Sequence, residues 1–399
     1  MNTYPALEGM RVLDLTRVLA GPYATMMLGD LGAEVIKVEP LSGDESRTWP
    51  PFLKNGESAY FMALNRNKKS ITLNLKEENA KKIARKLAEK ADVVLENFTP
   101  GVVRKLGIDY ETMREKNPSL IYCSISGFGQ DGPYRDKKAY DPIIQGMTGL
   151  MSITGDKKGP PVKVGIPITD LCAANHAVSA ILAAYIAKLK KGEGQFIDVS
   201  LYDGMISLST IMAMDYFATG EAPRRFGLDH IHRVPARAFR AKDGRYVQVA
   251  ATSDDMFPKF CRLVGLEKMI DDPRCASNSL RVKHREEIMP IFEKQMLDKN
   301  SEDWLAIFEH AGIPTGLILD LKEVFASPHV AARNMTFTME HPIEGEIPQL
   351  GFPYKMSLTP PSALHKPPIL GENTETILRY DLGYSTEAIY DLRSKRVIG

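Results

Sequence analysis

Along the first 200 residues the hydrophobic pattern switches repeatedly between two periods. Short apolar runs, "RVLDLT" (11–16), "AEVIKVE" (33–39), "SITLNL" (70–75), "DVVLENF" (92–98) and "LIYCSIS" (120–126), read as strands buried on both faces. Between them lie charged stretches with apolar residues at helical spacing, such as "EENAKKIARKLAEKA" (77–91). A loop holding Gly21-Pro22 leads from the first strand into a helix through "YATMMLGDLG". This alternation predicts an α/β large domain of Rossmann-like kind, its mostly parallel sheet covered on both faces. Sheets of that kind take ligands at the carboxyl ends of their strands.

A longer helix is predicted from about Leu171 to Lys191, closed by cations in the last turn and Gly192 beyond. "QFIDVSLYDG" adds a strand that leads into a further helix. From about Glu221 the chain turns basic and irregular ("EAPRRFGLDHIHRVPARAF"), as a linker would. Short strands and polar helices then fill 225–325, a smaller α+β domain. The Pro-bearing turns "SPHV", "TPPSAL" and "KPPILG" mark 326–399 as a return segment that completes the large domain of 1–220.

Composition narrows the function classes. The 51 basic and 50 acidic residues leave a formal charge of +1, without the basic excess of a nucleic-acid or membrane-surface protein. The cysteines Cys123, Cys172, Cys261 and Cys275 have no CxxC spacing, so neither a disulfide framework nor a zinc site is expected. "MNTYPALEGMRVLDLT" lacks a basic region followed by an apolar one, so no secretory signal is expected. The longest apolar stretch, "AVSAILAAYIA" (177–187), falls short of the roughly 20 residues a bilayer needs. The expectation is a soluble, cytoplasmic protein.

Several common chemistries find no support. The first strand-loop-helix has the wrong glycine spacing for GxGxxG, which argues against nicotinamide or flavin binding. GxxxxGK[ST] and HExxH are missing, and "HIH" (230–232) has no further ligands nearby, so no metal is expected. "LNRNKKS" (64–70) brings Arg66, Lys68 and Lys69 together, either as a solvated turn or as a phosphate cradle. Arg104 and Lys105 in "VVRKLG" pose the same choice, since a helix C-terminus alone explains cations there. Asp170 in "VGIPITDLCAAN" stands at the expected start of the long helix. Read locally it is a cap, typically worth about 1 kcal/mol. The same helix start favours an ionised carboxylate, which is what a nucleophile needs.

One resemblance changes these odds. "VLDLTRVLAGPYATMMLGDLGAEVIKVEP" with "GDESR", "ALNRNKKSITLNL", "VLENFTPGVVRKLGIDY", "NPSLIYCSISGFGQDGPY", "AYDPIIQGMTGLMSITG", "TDLCAAN", "GEGQFIDVSLYDG" and "PPILGENT" follow one another along the chain. This ordered set resembles the family III CoA-transferases, the CaiB/BaiF group that includes formyl-CoA:oxalate and carnitine CoA-transferases. The resemblance implies a covalent mechanism with Asp170 as the nucleophile, passing through an aspartyl anhydride and an aspartyl-CoA thioester. It implies coenzyme A and acyl-CoA as substrates, with no permanently bound cofactor. It also implies CoA contacts at Leu19, Ala20, Asn65, Arg66, Asn67, Lys68, Asn97, Phe98, Thr99, Arg104, Lys105, Lys138, Ala139, Tyr140 and Asp141, with Tyr140 near the thiol end. An interlocked homodimer is implied as well.

Departures from formyl-CoA transferase point away from formate and oxalate. Leu19 replaces a Gln, Arg17 replaces a His, and the small domain shows no glycine run around "VAATSDDMF". The overall look is closest to succinyl-CoA-using dicarboxylate transferases, with Arg233 and Arg237 as candidates to meet a second carboxylate. Two other functions stand beside this one. An α-methylacyl-CoA racemase needs an acid-base pair, but Tyr140 in "AYDPI" stands where relatives supply its His. A non-catalytic acyl-CoA-binding protein would have no need of Asp170.

Overall fold

The apolar runs form one parallel sheet of six strands: β1 (Arg11–Asp14), β2 (Glu34–Glu39), β3 (Lys68–Thr72), β4 (Val93–Glu96), β5 (Ile121–Ser126) and β6 (Phe196–Ser200). Their order is β3-β2-β1-β4-β5-β6, and every neighbouring pair runs parallel. The middle strands are buried throughout and mostly apolar because helices cover both faces. On one face α1 (Ala20–Asp30) and the helix Ile168–Lys191 pack over Val12, Val35, Val93 and Ile121. On the other, the helix Glu78–Glu89 and the chain end pack over Leu13, Ile36, Ile71 and Val94. The strand order reverses between β1 and β4, and the loops leaving their carboxyl ends flank the crevice where such sheets bind ligands.

The computed structural model describes residues 3–399, which divide into two units. The first holds the chain up to residue 150 together with 163–218 and 331–399. The return segment is bound into this unit by backbone and side chain. Asn67 donates its N–H to His365 O at 2.8 Å, and Asn373 Oδ1 accepts from Ser70 N at 3.0 Å. Ile377, Leu378, Ile389, Leu392, Val397 and Ile398 are buried in the same cluster as Leu13 and Ile36.

The second unit holds 151–162 as well as 219–330. Its antiparallel sheet is β7 (Ala236–Arg240), β8 (Tyr246–Ala250) and β9 (Thr315–Leu317), with a core that includes Phe257, Phe260, Phe292, Trp304 and Phe308.

Two boundaries differ from the sequence reading. β3 begins at Lys68, so Lys68 and Lys69 are strand residues and not part of a preceding loop. The long helix begins at Ile168 and runs 24 residues, which is long and apolar enough to cross a membrane by length and composition. The apolar run alone understated it, because helical structure continues past both of its ends. One side of this helix, with Cys172, Ala173, Ala174, Ala177, Ile181 and Ala184, is buried in the core of the first unit.

Candidate active site

The loop after β1 is held in place by buried charges. Asp14, fully buried at the end of β1, accepts from Thr16 N at 2.9 Å, Thr25 Oγ1 at 2.6 Å and Lys68 Nζ at 3.1 Å. Lys37 Nζ donates to Thr16 O at 2.8 Å and pairs with Asp44 at 3.0 Å. Asp44 in turn accepts from Val18 N at 3.2 Å. Val18 has φ 66, an unfavourable conformation for a β-branched residue, and these bonds hold it there. Gly21 follows because a Cβ would stand 2.3 Å from Thr16 Cβ.

The loop after β4 locks onto the same segment. Asn97 Oδ1 accepts from Arg17 N and Asn97 Nδ2 donates to Arg17 O, both at 2.8 Å. Phe98 N donates to Glu96 Oε2 at 2.8 Å, and the Arg17 guanidinium lies 4.9 Å from the Phe98 ring centroid. The Glu96 carboxyl is pushed up to about 7 by burial.

The third wall carries Asp170. Pro167 occupies the N-cap position of the long helix, so Asp170 is the third helical residue and makes no capping hydrogen bond. The cap comes from elsewhere in the chain. Asp141 Oδ1 accepts from both Thr169 N and Thr169 Oγ1 at 2.9 Å, while Asp141 Oδ2 accepts from Gln145 Nε2 at 2.7 Å. Gln145 Oε1 accepts from Val164 N at 2.9 Å, fixing the chain that leads into the helix. The Asp170 carboxylate accepts no hydrogen bond from the described residues. Burial, then the Asp141 charge, pushes its carboxyl up to about 7.

These three walls enclose a cavity of about 410 Å³ in the first unit. Asp170 lines it with Leu19, Ala20, Asn97, Phe98, Thr99, Lys138, Ala139, Tyr140 and Asp141. Tyr140 is 74% exposed, so its ring is free for a ligand. Arg17, Glu45 and Lys137 line the cavity too, though the sequence reading did not assign them to a site. It also missed Tyr60, whose phenol is pushed up to about 12 by burial and by the charges of Asp170, Asp44 and Asp141. Tyr60 stays outside the cavity lining, but it is close enough to feel the Asp170 charge and is a neutral phenol at neutral pH. Its only advance signal was an aromatic residue in a helix that follows "GDESR".

Other expected contacts fall outside this cavity. Asn65, Arg66, Asn67 and Lys68 do not line the cavity, and all four are buried. Arg66 makes a bidentate pair with Asp30 at 2.9 and 2.7 Å. Asn67 Oδ1 accepts from Leu364 N and His365 N, holding the return segment. Lys68 Nζ donates to Pro22 O at 2.8 Å and Asn65 Oδ1 at 2.9 Å, besides its bond to Asp14. What looked like a phosphate cradle is an internal ion-pair network. Arg104 and Lys105 are exposed on the helix Val102–Leu106, outside the cavity lining. In the second unit Arg237 pairs with Asp229 at 3.2 Å and with Glu293. Arg233 is exposed. Among the described residues no cluster of three or more His, Cys, Asp or Glu is placed to hold a metal.

A family model described as CoA-transferase family III matches residues 7–374. The chain belongs to that family. Its similarity to a Homo sapiens succinyl-CoA:glutarate CoA-transferase is 42% identity over all of this chain and 91% of that one. To a succinate–glutarate CoA-transferase from Agrobacterium fabrum it is 41% over 94% of this chain and 96% of the other. An acetyl-CoA:oxalate CoA-transferase from Acetobacter aceti is 40% identical over 88% and 89%. Among solved structures, a CaiB/BaiF family protein from Brucella suis superposes with a TM-score of 0.85 at 38% identity, covering 96% of this chain and 100% of that one. As a family III CoA-transferase the protein is an enzyme of acyl-CoA metabolism, and CoA thioesters are its substrates.

Proposed function

We propose that the enzyme moves CoA from succinyl-CoA to a second dicarboxylic acid, with Asp170 as the covalent nucleophile. The observation that carries this is the Asp170 carboxylate on the cavity wall, free of any capping bond and aligned by Asp141 through the helix start. The named relatives support the substrate class, since glutarate and oxalate are both diacids.

The ionised carboxylate attacks the thioester carbonyl, and the C–S bond breaks to leave a mixed anhydride and CoA thiolate. The thiolate attacks the aspartyl carbonyl, releasing the donor acid as its carboxylate and leaving an aspartyl-CoA thioester. The acceptor carboxylate attacks that thioester, expelling thiolate and forming a second anhydride. The thiolate then attacks the acceptor carbonyl, giving the new acyl-CoA and free Asp170. Each step trades one activated acyl bond for another, so no ATP is consumed. The burial that, with the Asp141 charge, raises the Asp170 carboxyl to about 7 also limits water, which would hydrolyse the anhydride. Only the ionised form attacks, so the free enzyme's rate rises as pH climbs through about 7.

In this reading Leu19, Ala20, Asn97 to Thr99 and Lys138 to Asp141 contact CoA, and Arg104 and Lys105 meet phosphates that extend past the cavity. The enzyme works as an interlocked homodimer in the cytoplasm. The exposed Ile186, Leu189, Ile211, Met214 and Phe217 support a second copy, because apolar surface of this kind marks interaction sites. The four unpaired thiols suit a reducing compartment.

The test is mass spectrometry after incubation with succinyl-CoA, using hydroxylamine to trap activated carboxylates. A hydroxamate or CoA adduct on Asp170, absent in Asp170→Ala, is expected, with transfer in that variant lowered by about 1,000-fold or more. An unmodified Asp170 with succinyl-CoA and other acyl-CoAs would refute the covalent role. Exchange of the α-proton in deuterated water would then favour a racemase.

A further inference from the structure

We propose that Arg17 reads the second carboxylate of the dicarboxylic acyl group carried at Asp170, and so sets the preference for diacids. The inference rests on the diacid transfer proposed above. A diacid brings a charge beyond the reacting carboxyl, and burying that charge is costly unless a cation meets it.

Three cations line the cavity: Arg17, Lys137 and Lys138. No carboxylate of the described residues pairs with Arg17, not even Glu45, which lines the same cavity. The guanidinium instead lies over the Phe98 ring, 4.9 Å from its centroid. Such a placement holds the guanidinium plane while leaving its N–H donors at the edge open.

The backbone of the exposed Arg17 is fixed at both its N–H and its carbonyl. Asn97 takes its N–H and donates to its carbonyl, both at 2.8 Å. The next residue is the strained Val18, its N–H held by Asp44. Strain maintained by buried charges beside an unpaired arginine marks a site where geometry is being controlled. Lys137 lies over Tyr134 at 3.7 Å, and no comparable backbone clamp holds Lys138. A flat guanidinium can also take a carboxylate on two parallel hydrogen bonds, which an ammonium cannot.

The test compares glutarate with valerate as acceptors for the full-length enzyme, since valerate replaces the far carboxylate by a methyl group. Arg17→Met and Arg17→Lys are measured beside the wild type, with free CoA as a competitive probe of the nucleotide-binding part. In Arg17→Met we expect kcat/KM for glutarate to fall about 100-fold, the scale of a lost charge-assisted pair. For valerate, and for inhibition by CoA, changes should stay within about 3-fold, and Arg17→Lys should recover part of the glutarate rate. Equal losses for both acids, or weaker CoA inhibition, would assign Arg17 to CoA or to the fold and overturn the proposal. Unchanged glutarate kinetics in both variants would overturn it as well. If the wild type forms the Asp170 adduct and transfers CoA, either result counts against Arg17 alone. If the wild type does neither, the proposed function itself fails.

Discussion

Asp14 and Asp170 lie in the same unit, the first fully buried and the second half-buried on the cavity wall, yet their carboxyls move in opposite directions. Burial alone would raise both. At Asp14 that effect is outweighed by Lys68 and Lys37, with hydrogen bonds from Thr16 and Thr25, and the carboxyl falls to about 2. At Asp170 burial acts unopposed, the like-signed Asp141 adds to it, and the carboxyl rises to about 7. The first aspartate is fully engaged in holding a loop. The second has no internal partner, which leaves it available to a substrate. Burial raises both carboxyls, and the more deeply buried one is the one that falls, so partners decide the direction.

The strongest test of this contrast is to remove the Asp14 charge. Asp14→Asn leaves the Lys68 ammonium buried with its ion pair gone, and a loss of about 3–5 kcal/mol in urea unfolding is expected. The same pairing sets an acid limit. Because the folded-state value is depressed, the stabilisation from Asp14 is complete above about pH 4 and fades as pH falls toward about 2. A variant as stable as the wild type would mean that Lys68 finds another partner.

A smaller effect of opposite sign is expected at Asp170. Its folded-state value is raised, so its contribution to stability is present below about pH 4 and lost as pH rises to about 7. Asp170→Asn, which cannot ionise, should therefore gain on the wild type over that window, by roughly 1–3 kcal/mol at the plateau. Thermal melts of both proteins across the range would show the gap opening. A constant gap would place Asp170 in contact with water.

The smallest effect belongs to Lys69, next to Lys68 in β3 but 46% exposed and paired with Glu34 at 2.5 Å. Lys69→Ala should cost no more than about 1 kcal/mol, as exposed ion pairs usually do. A loss as large as that of Asp14→Asn would blur the distinction between the buried and exposed charges of this strand.

Much of the first unit was legible because buried parallel strands write themselves as continuous apolar runs. β2 and β5 fall within one residue of the expected limits. The cationic stretch 65–68 was not legible. Its partners, Asp30 and Asp14, stand 36 and 54 residues away from Arg66 and Lys68. A sequence window shows the cations without the acids that silence them. Asp170 failed as a local reading for a related reason. The helix cap it was expected to supply comes from Asp141, 28 residues before Thr169. Arg17 stood in plain view, but nothing local distinguishes a cation that lacks a partner from one that has it.

The sequence by itself determined the alternation of strands and helices, the family resemblance and the aspartate on which the chemistry is proposed to turn. These depend on local periodicity and on ordered motifs, which survive in one dimension. The tertiary structure decided the strand order, the meeting of three loops around one cavity, and which charged side chains are spent internally. Those outcomes depend on distances between residues far apart in the chain, and ion pairing and burial follow those distances.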